Sequence, residues 1–296
     1  MRLTLLGTGC PVVSTDRYGP AALVETDSVE AGSARVLVDC GSGVTQRLLA
    51  AGCPGRALDL VLLTHLHSDH LVDLFQLIVS SWHQGRARPQ RVVGPRGTLA
   101  YVEGLLALWK AELEQRIAHE KRPSADALEV EVEEIADGWT AELGDLRIAA
   151  FEVDHRPVRQ AFGFSFVSGG KTAVISGDTR PCDALEAAAR DCDLLVNEVF
   201  VHREMPVVPG VRSAETVENV AAYHTLSTEV GKLAARAGAR ALALTHFVPP
   251  AADRDALLAE VAADFPGPLV VGEDLMRFDL AAGTVAYGNA RWRLGR

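Results

Sequence analysis

Thr64-His65-Leu66-His67-Ser68-Asp69-His70 sets three imidazoles and a carboxylate within six positions. Neutral imidazole nitrogens and carboxylate oxygens are the usual ligands of zinc and similar divalent metals. The preceding Leu60-Val61-Leu62-Leu63 is short and apolar, as a buried strand is. From Leu71 to Ser80 the apolar residues take helical spacing. The histidines therefore lie on a loop where a strand ends and a helix begins. Open α/β sheets hold their sites at that end of the strands.

The spacing within the loop divides it. His65 and His67 are two apart, so on an extended segment they share a face and can grip one ion. Asp69 and His70 follow a turn and point elsewhere. The loop reads as two half-sites a few ångströms apart. Two ions need further ligands, and the same pattern recurs along the chain. His155 follows Ile148-Ala149-Ala150-Phe151-Glu152-Val153, Asp178 follows Thr172-Ala173-Val174-Ile175-Ser176-Gly177, and His246 follows Ala241-Leu242-Ala243-Leu244-Thr245. One histidine after an apolar strand is more often a satisfied polar residue than a ligand. Four repetitions shift the balance to a site.

Around these positions, strands are expected at 3–6, 21–25, 35–39, 91–93, 129–134, 146–153, 163–167, 194–196 and 269–271. Helices are expected at 44–51, 69–80, 98–120, 228–237 and 254–265, the third long and amphipathic. The Val/Glu alternation of 129–134 suggests an exposed or edge strand. No low-complexity linker divides the 296 residues. The expectation is one domain over 1–296, of α/β class, an αββα sandwich of two mixed β-sheets flanked by helices. A helical cap is expected around 98–122. Loops at 81–90 and 201–212 are expected near the site, with His83 and His202 as weak candidates for substrate contact.

Composition bounds the rest. Nearly half the residues are apolar (48%), enough for a large core, and no run is long enough to cross a membrane. The N-terminus lacks the apolar region of a signal peptide. Five cysteines, with no CxxC pair, suit reduced thiols and a cytoplasmic location. A net charge of −10 disfavours a surface built for a long polyanion, while leaving room for one local basic pocket.

The chain resembles the metallo-β-lactamase superfamily, and within it the ribonuclease Z-like branch, almost end to end. The residues that carry the resemblance are Leu5-Leu6-Gly7-Thr8-Gly9, Val38-Asp39-Cys40-Gly41-Ser42-Gly43-Val44-Thr45-Gln46, the Thr64 to His70 loop, Ser176-Gly177-Asp178-Thr179-Arg180-Pro181-Cys182, and Leu244-Thr245-His246-Phe247. The resemblance implies that His65, His67 and His155 bind one metal. It implies that Asp69, His70 and His246 bind a second, with Asp178 bridging. Two zinc ions are expected, with manganese or iron as alternatives on ligand type. A water between them would lose a proton near neutral pH and attack as hydroxide. Asp69 is expected to hold that water or take its proton.

Three departures from the tRNA-processing members stand out. Only 178 − 155 = 23 positions separate His155 from Asp178, room for one hairpin over 161–175 and none for the long protruding arm of those members. Their HEATF segment is Asn197-Glu198-Val199-Phe200 here, and their HST segment is His224-Thr225-Leu226-Ser227-Thr228. His224 remains the natural general acid, oriented by Glu198, and Ser227-Thr228-Glu229 is expected to cap the next helix.

The favoured expectation is thus a dinuclear metal-dependent hydrolase of a small ester, a phosphodiester or sulfate ester of the phosphodiesterase or arylsulfatase-like kind. The runner-up is a ribonuclease Z-type tRNA 3′-endonuclease. A lactone or thioester hydrolase and a carrier protein on the same fold are further alternatives. The expected partner is a small-molecule ester, with nucleic acid disfavoured and no membrane. A homodimer is one use for the apolar faces of Leu74, Leu77 and Ile78; packing on the core is the other.

Overall fold

The computed structural model describes residues 1–28 and 32–294, so the span 1–296 is covered except for 29–31 and 295–296. Its first part runs β1 (Arg2–Gly7), β2 (Ala21–Ser28), β3 (Gly32–Val38), α1 (Val44–Ala50), β4 (Leu60–Leu62), α2 (Leu74–His83), β5 (Gln90–Gly94), α3 (Thr98–Glu120), β6 (Val130–Glu134), β7 (Thr140–Leu143) and β8 (Leu146–Glu152). The rest runs β9 (Phe162–Ser168), β10 (Lys171–Ile175), α4 (Asp183–Ala188), β11 (Leu194–Phe200), α5 (Ala214–Ala221), α6 (Ser227–Ala237), β12 (Leu242–Val248), α7 (Arg254–Ala262), β13 (Leu269–Val271), β14 (Arg277–Asp279), β15 (Thr284–Tyr287) and β16 (Ala290–Arg293).

Alternation along single strands shows how the layers stack. Val36 and Val38 of β3, with Leu60 and Leu62 of β4, join Phe162, Phe164 and Phe166 of β9 in one cluster between two sheets. Leu37 and Val61, one residue out of step, pack instead with Leu48 of α1 and Leu74 and Leu77 of α2. In β10, Ala173 and Ile175 face inward while Val174 meets Leu233 of α6 and Val261 of α7. A period of two sends neighbouring side chains to opposite faces, so both faces of each sheet are covered. The sheets have nine strands, in the order β16-β15-β14-β1-β2-β3-β4-β5-β6, and seven, in the order β13-β12-β11-β10-β9-β8-β7. Both mix directions: β3 and β4 are parallel and β1 and β2 antiparallel, as β10 and β11 are parallel and β9 and β10 antiparallel. This is the αββα sandwich expected from the sequence.

Several local expectations change. The helix expected at 69–80 begins later. Ser68–His70 is a single 3-10 turn, and α2 starts at Leu74 and runs on to His83. The start of the loop expected at 81–90 is therefore helical, and the Trp82 indole is buried and donates to the Ser124 carbonyl (2.8 Å). Leu74, Leu77 and Ile78 are fully buried, so they serve the core and not a partner copy. Each contributes about 1.5–3 kcal/mol by leaving water. α3 is less amphipathic than expected: Thr98, Val102 and Leu113 are buried, but Leu108 is 81% exposed. Ser227 does not cap α6; Leu226 holds the cap position with no side-chain bond, and Ser227 lies in the first turn. β6 is an edge strand, as its alternation suggested. Between His155 and Asp178 lies the single hairpin of β9 and β10.

Candidate metal centre

The strand ends converge. Thr64 to His70 leaves β4, His155 follows β8, Asp178 follows β10, and His246 lies in β12 beside Glu198 of β11. The last placement depends on a bulge. Glu198 pairs with Thr245 and Val199 with Phe247, so His246 is the extra residue, with φ 46°. A bulge of one residue re-aims its side chain and sharpens the local twist. The Phe247 amide then donates to the Thr8 carbonyl (3.0 Å), which pins the bulged segment to the loop after β1. Gly177 also has a positive φ (61°), and a Cβ there would lie 2.6 Å from the Phe162 carbonyl oxygen. Only glycine lets the turn before Asp178 approach β9 so closely.

His65, His67, His155 and Asp178 bring ligand-type atoms together within 4.8 Å, and Asp69, His70 and His246 form a second such group. Asp178 joins the two: its Oδ2 lies 3.8 Å from His65 Nε2 and 3.3 Å from both His70 Nε2 and His246 Nε2. Asp69 Oδ2 is 3.3 Å from His246 Nε2 and 3.5 Å from His70 Nε2. The fit to metal rests on the other ring nitrogens. His70 Nδ1 is bound to Asp39 (2.8 Å), His65 Nδ1 lies 3.0 Å from the Thr64 hydroxyl, and His155 Nδ1 faces the Tyr223 carbonyl (2.9 Å). That leaves His65 Nε2 and His70 Nε2 buried with no hydrogen-bond partner among the described residues. A buried polar nitrogen normally finds a partner. Ring nitrogens fixed on the outer side, with orphaned ones turned inward, are the arrangement a metal-binding histidine needs. The residues present fit a pair of divalent cations.

The electrostatics agree. Burial drives His65 well below the ordinary histidine value, and the nearby charge of His70 adds to it. Burial likewise pushes His155 down to about 4. Both are then neutral near pH 7, the form that ligates. His70 goes the other way: burial opposes its charging, but the Asp178 and Asp39 carboxylates hold it well above the ordinary value. Asp178 stays well below the usual carboxylate range in spite of burial, because His246 and His70 face it. A proton on His70 occupies the place that a cation would take.

Beside this cluster stands a second arrangement. His224 Nδ1 is 2.8 Å from Glu198 Oε1, and the same oxygen accepts from the amides of Thr179 (3.0 Å) and Thr225 (3.1 Å). Burial resists charge on His224, yet Glu198 raises its affinity for a proton above the ordinary value. Burial also raises Glu198. The two directions compete for one proton, and we place it on the imidazole, since an oxygen accepting three N–H donors is best ionised. His224 also groups with Asp178 and His246.

Asp39 is a site residue beyond those expected from the sequence. Asp39 receives the Thr64 amide (2.8 Å) and its hydroxyl, besides His70. It thereby holds His70 directly, and His65 only through the Thr64 hydroxyl. The signal was present, since Asp39 follows the apolar strand β3 as the other site residues follow theirs. The Tyr223 carbonyl had no such signal, because a backbone acceptor leaves no mark in the side-chain pattern. His83 and His202 stand outside the cluster. His83 Nδ1 bonds the Val79 carbonyl (2.8 Å) within α2, and His202 pairs with Glu218 (2.9 Å) across to α5.

The family model for the beta-lactamase superfamily domain matches residues 34–247. Ribonuclease Z of Mycobacterium marinum is 37% identical over 287 residues, covering 95% of this chain and 99% of the relative. Among solved structures, human tRNase Z, short form, is similar at TM-score 0.69 and 21% identity, over 95% of this chain and 99% of that one. A metallo-beta-lactamase fold protein of Bacillus subtilis, YhfI, is similar at TM-score 0.69 and 21% identity, over 94% of this chain and 99% of that one. The solved structures speak to the fold. The curated relative overturns one expectation, that of a small-molecule ester as partner with nucleic acid disfavoured. A protein alike over nearly its whole length carries the name of a ribonuclease.

Proposed function

Because this chain belongs to the beta-lactamase superfamily, in its ribonuclease Z-like branch, we propose that it is a metal-dependent endonuclease that removes the 3′ extension of precursor tRNA. The single observation that carries this reading over a small-ester hydrolase is the full-length match to ribonuclease Z. The missing arm does not oppose it. A relative aligned over 99% of its own length has little room for an arm that this chain lacks.

On this reading His65, His67 and His155 would hold one cation and Asp69, His70 and His246 the other, and Asp178 would serve both. Bound there, two divalent cations, zinc by preference, would clamp the scissile phosphate and acidify a water beside it. Asp69 is kept ionised, against burial, by its hydrogen bond to His246 and the charge of His70, and it accepts and orients the proton of the attacking water. His224 gives its proton to the departing 3′ oxygen, so the tRNA ends in a hydroxyl. Glu198 holds Nδ1 and turns the other nitrogen to the substrate. Protonating such a leaving group contributes about 10²–10⁴-fold.

The segment 98–122 acts as a cap. Supporting this, the Tyr101 hydroxyl donates to the Leu71 carbonyl (3.2 Å), directly after the metal loop. A cytoplasmic location suits the five free cysteines, and no helix among the described residues is long and apolar enough to cross a membrane.

A substrate panel tests the reading. The zinc- or manganese-loaded protein is given a precursor tRNA, bis(p-nitrophenyl) phosphate and an aryl sulfate. Efficient trimming of the tRNA, with slower turnover of the nitrophenyl diester, is expected. Turnover of the aryl esters with the precursor left intact would return the small-ester reading.

A further inference from the structure

A groove of about 650 Å³ adjoins the metal centre, and its charged residues have no part in the chemistry above. Leu66, Pro95, Arg96, Val158, Arg159 and Gln160 line it. Leu66 stands between His65 and His67, and the Val158 amide donates to the His155 carbonyl (3.0 Å). The groove is therefore walled by the two loops that present the first metal's ligands. Its sides are tied together, since Gln160 Oε1 accepts from the Arg96 amide (3.0 Å).

Arg96 and Arg159 are both exposed. Among the described residues no carboxylate lies within 4.0 Å of either guanidinium, whereas Arg156 and Arg180 are both bound to Asp154. The α3 N-terminus does not supply the site, because Glu134 already accepts from the amides of Gly97 (2.8 Å) and Leu99 (3.0 Å). What remains is two guanidiniums with no ion-pair partner among the described residues, on one pre-formed groove whose nearby carboxylate, Glu134, is engaged by backbone amides, in a chain of net charge −10. Charges beyond about 8 Å are largely screened at physiological salt. A distant acidic surface therefore does not cancel a local pair. Guanidinium forks match phosphate oxygens in geometry as well as charge.

We propose that Arg96 and Arg159 form a phosphate cradle that docks the RNA backbone beside the metal centre. The proposal rests on the ribonuclease reading and names the surface that reading requires. It gives an armless chain a place to hold a polyanion at the reacting phosphate.

The test uses the metal-loaded protein, a precursor tRNA, and the double variant Arg96→Glu with Arg159→Glu. Arg147→Glu, an exposed arginine at the start of β8 and so at the far end of that strand from His155, is the control. The double variant is expected to raise KM for the precursor at least tenfold with kcat little changed. The slope of log(1/KM) against log salt should fall in magnitude by about 1.4–1.8, since each phosphate contact carries about 0.7 on a single strand and about 0.9 on a duplex. Turnover of bis(p-nitrophenyl) phosphate should stay at the wild-type level, as should every parameter of the control. If the wild type cleaves the precursor but the double variant keeps its KM and salt slope, the cradle is refuted and the ribonuclease reading stands. An equal loss in the control refutes it as well. A wild type that turns over the nitrophenyl diester but leaves RNA uncut removes both.

Discussion

The pairing of His224 with Glu198 makes a definite statement about pH. Glu198 lifts the proton affinity of His224 above the ordinary histidine value, against the effect of burial. A raised value means that the protonated acid survives to higher pH and is lost only as pH rises through that value. The alkaline limb of kcat on RNA should therefore lie above the ordinary histidine range. Glu198→Gln removes the charge while keeping a hydrogen-bond acceptor, so the limb should move to lower pH. A kcat profile with its alkaline limb unmoved in that variant would take His224 out of the acid role. Asp39 acts at the same scale but through position. It touches Thr64 and His70, 25 and 31 residues away. Its place after an apolar strand was readable, but its partners follow from how the strands are laid side by side.

At the scale of elements, what the sequence allowed depended on repetition. The positions of His65, His155, Asp178 and His246 were legible because each followed an apolar run, although β12 (Leu242–Val248) runs on through His246 instead of ending before it. Those runs are continuous because both faces of the sheets are covered. Two features were not legible. The bulge that turns His246 inward is a matter of register between β11 and β12, which no local pattern encodes. The late start of α2 is another: Leu71, with φ −145°, departs from helical geometry, and Asp73, just before the helix, receives the Thr45 amide (2.7 Å). Gly177 belongs to the same class of close approach. Gly177→Ala should cost about 1–3 kcal/mol through the positive φ alone, and more through contact with the Phe162 carbonyl. Urea unfolding of the two proteins measures this. A variant as stable as the wild type would show that the β10 turn yields freely, and the account of how Asp178 is fixed would fail.

At the scale of the whole molecule, net charge proved a poor guide to the partner. A total of −10 argued against a polyanion, and a ribonuclease relative of nearly equal span overturned that. The physical reason is range: the total counts charges everywhere, while a phosphate held at a site responds to those within a screening length. Composition did exclude a membrane-spanning helix, because that depends on one long apolar run. All three scales meet in the proposal that the converging site residues form one centre that cuts RNA. Single-turnover cleavage of a precursor tRNA by metal-loaded wild type and by Asp178→Asn, with the product ends mapped, tests it most directly. The account predicts a wild-type product ending in a 3′ hydroxyl and no cleavage by the variant at equal folded content. Wild-type protein that leaves the precursor whole, or a variant that cuts at the wild-type rate, would contradict it.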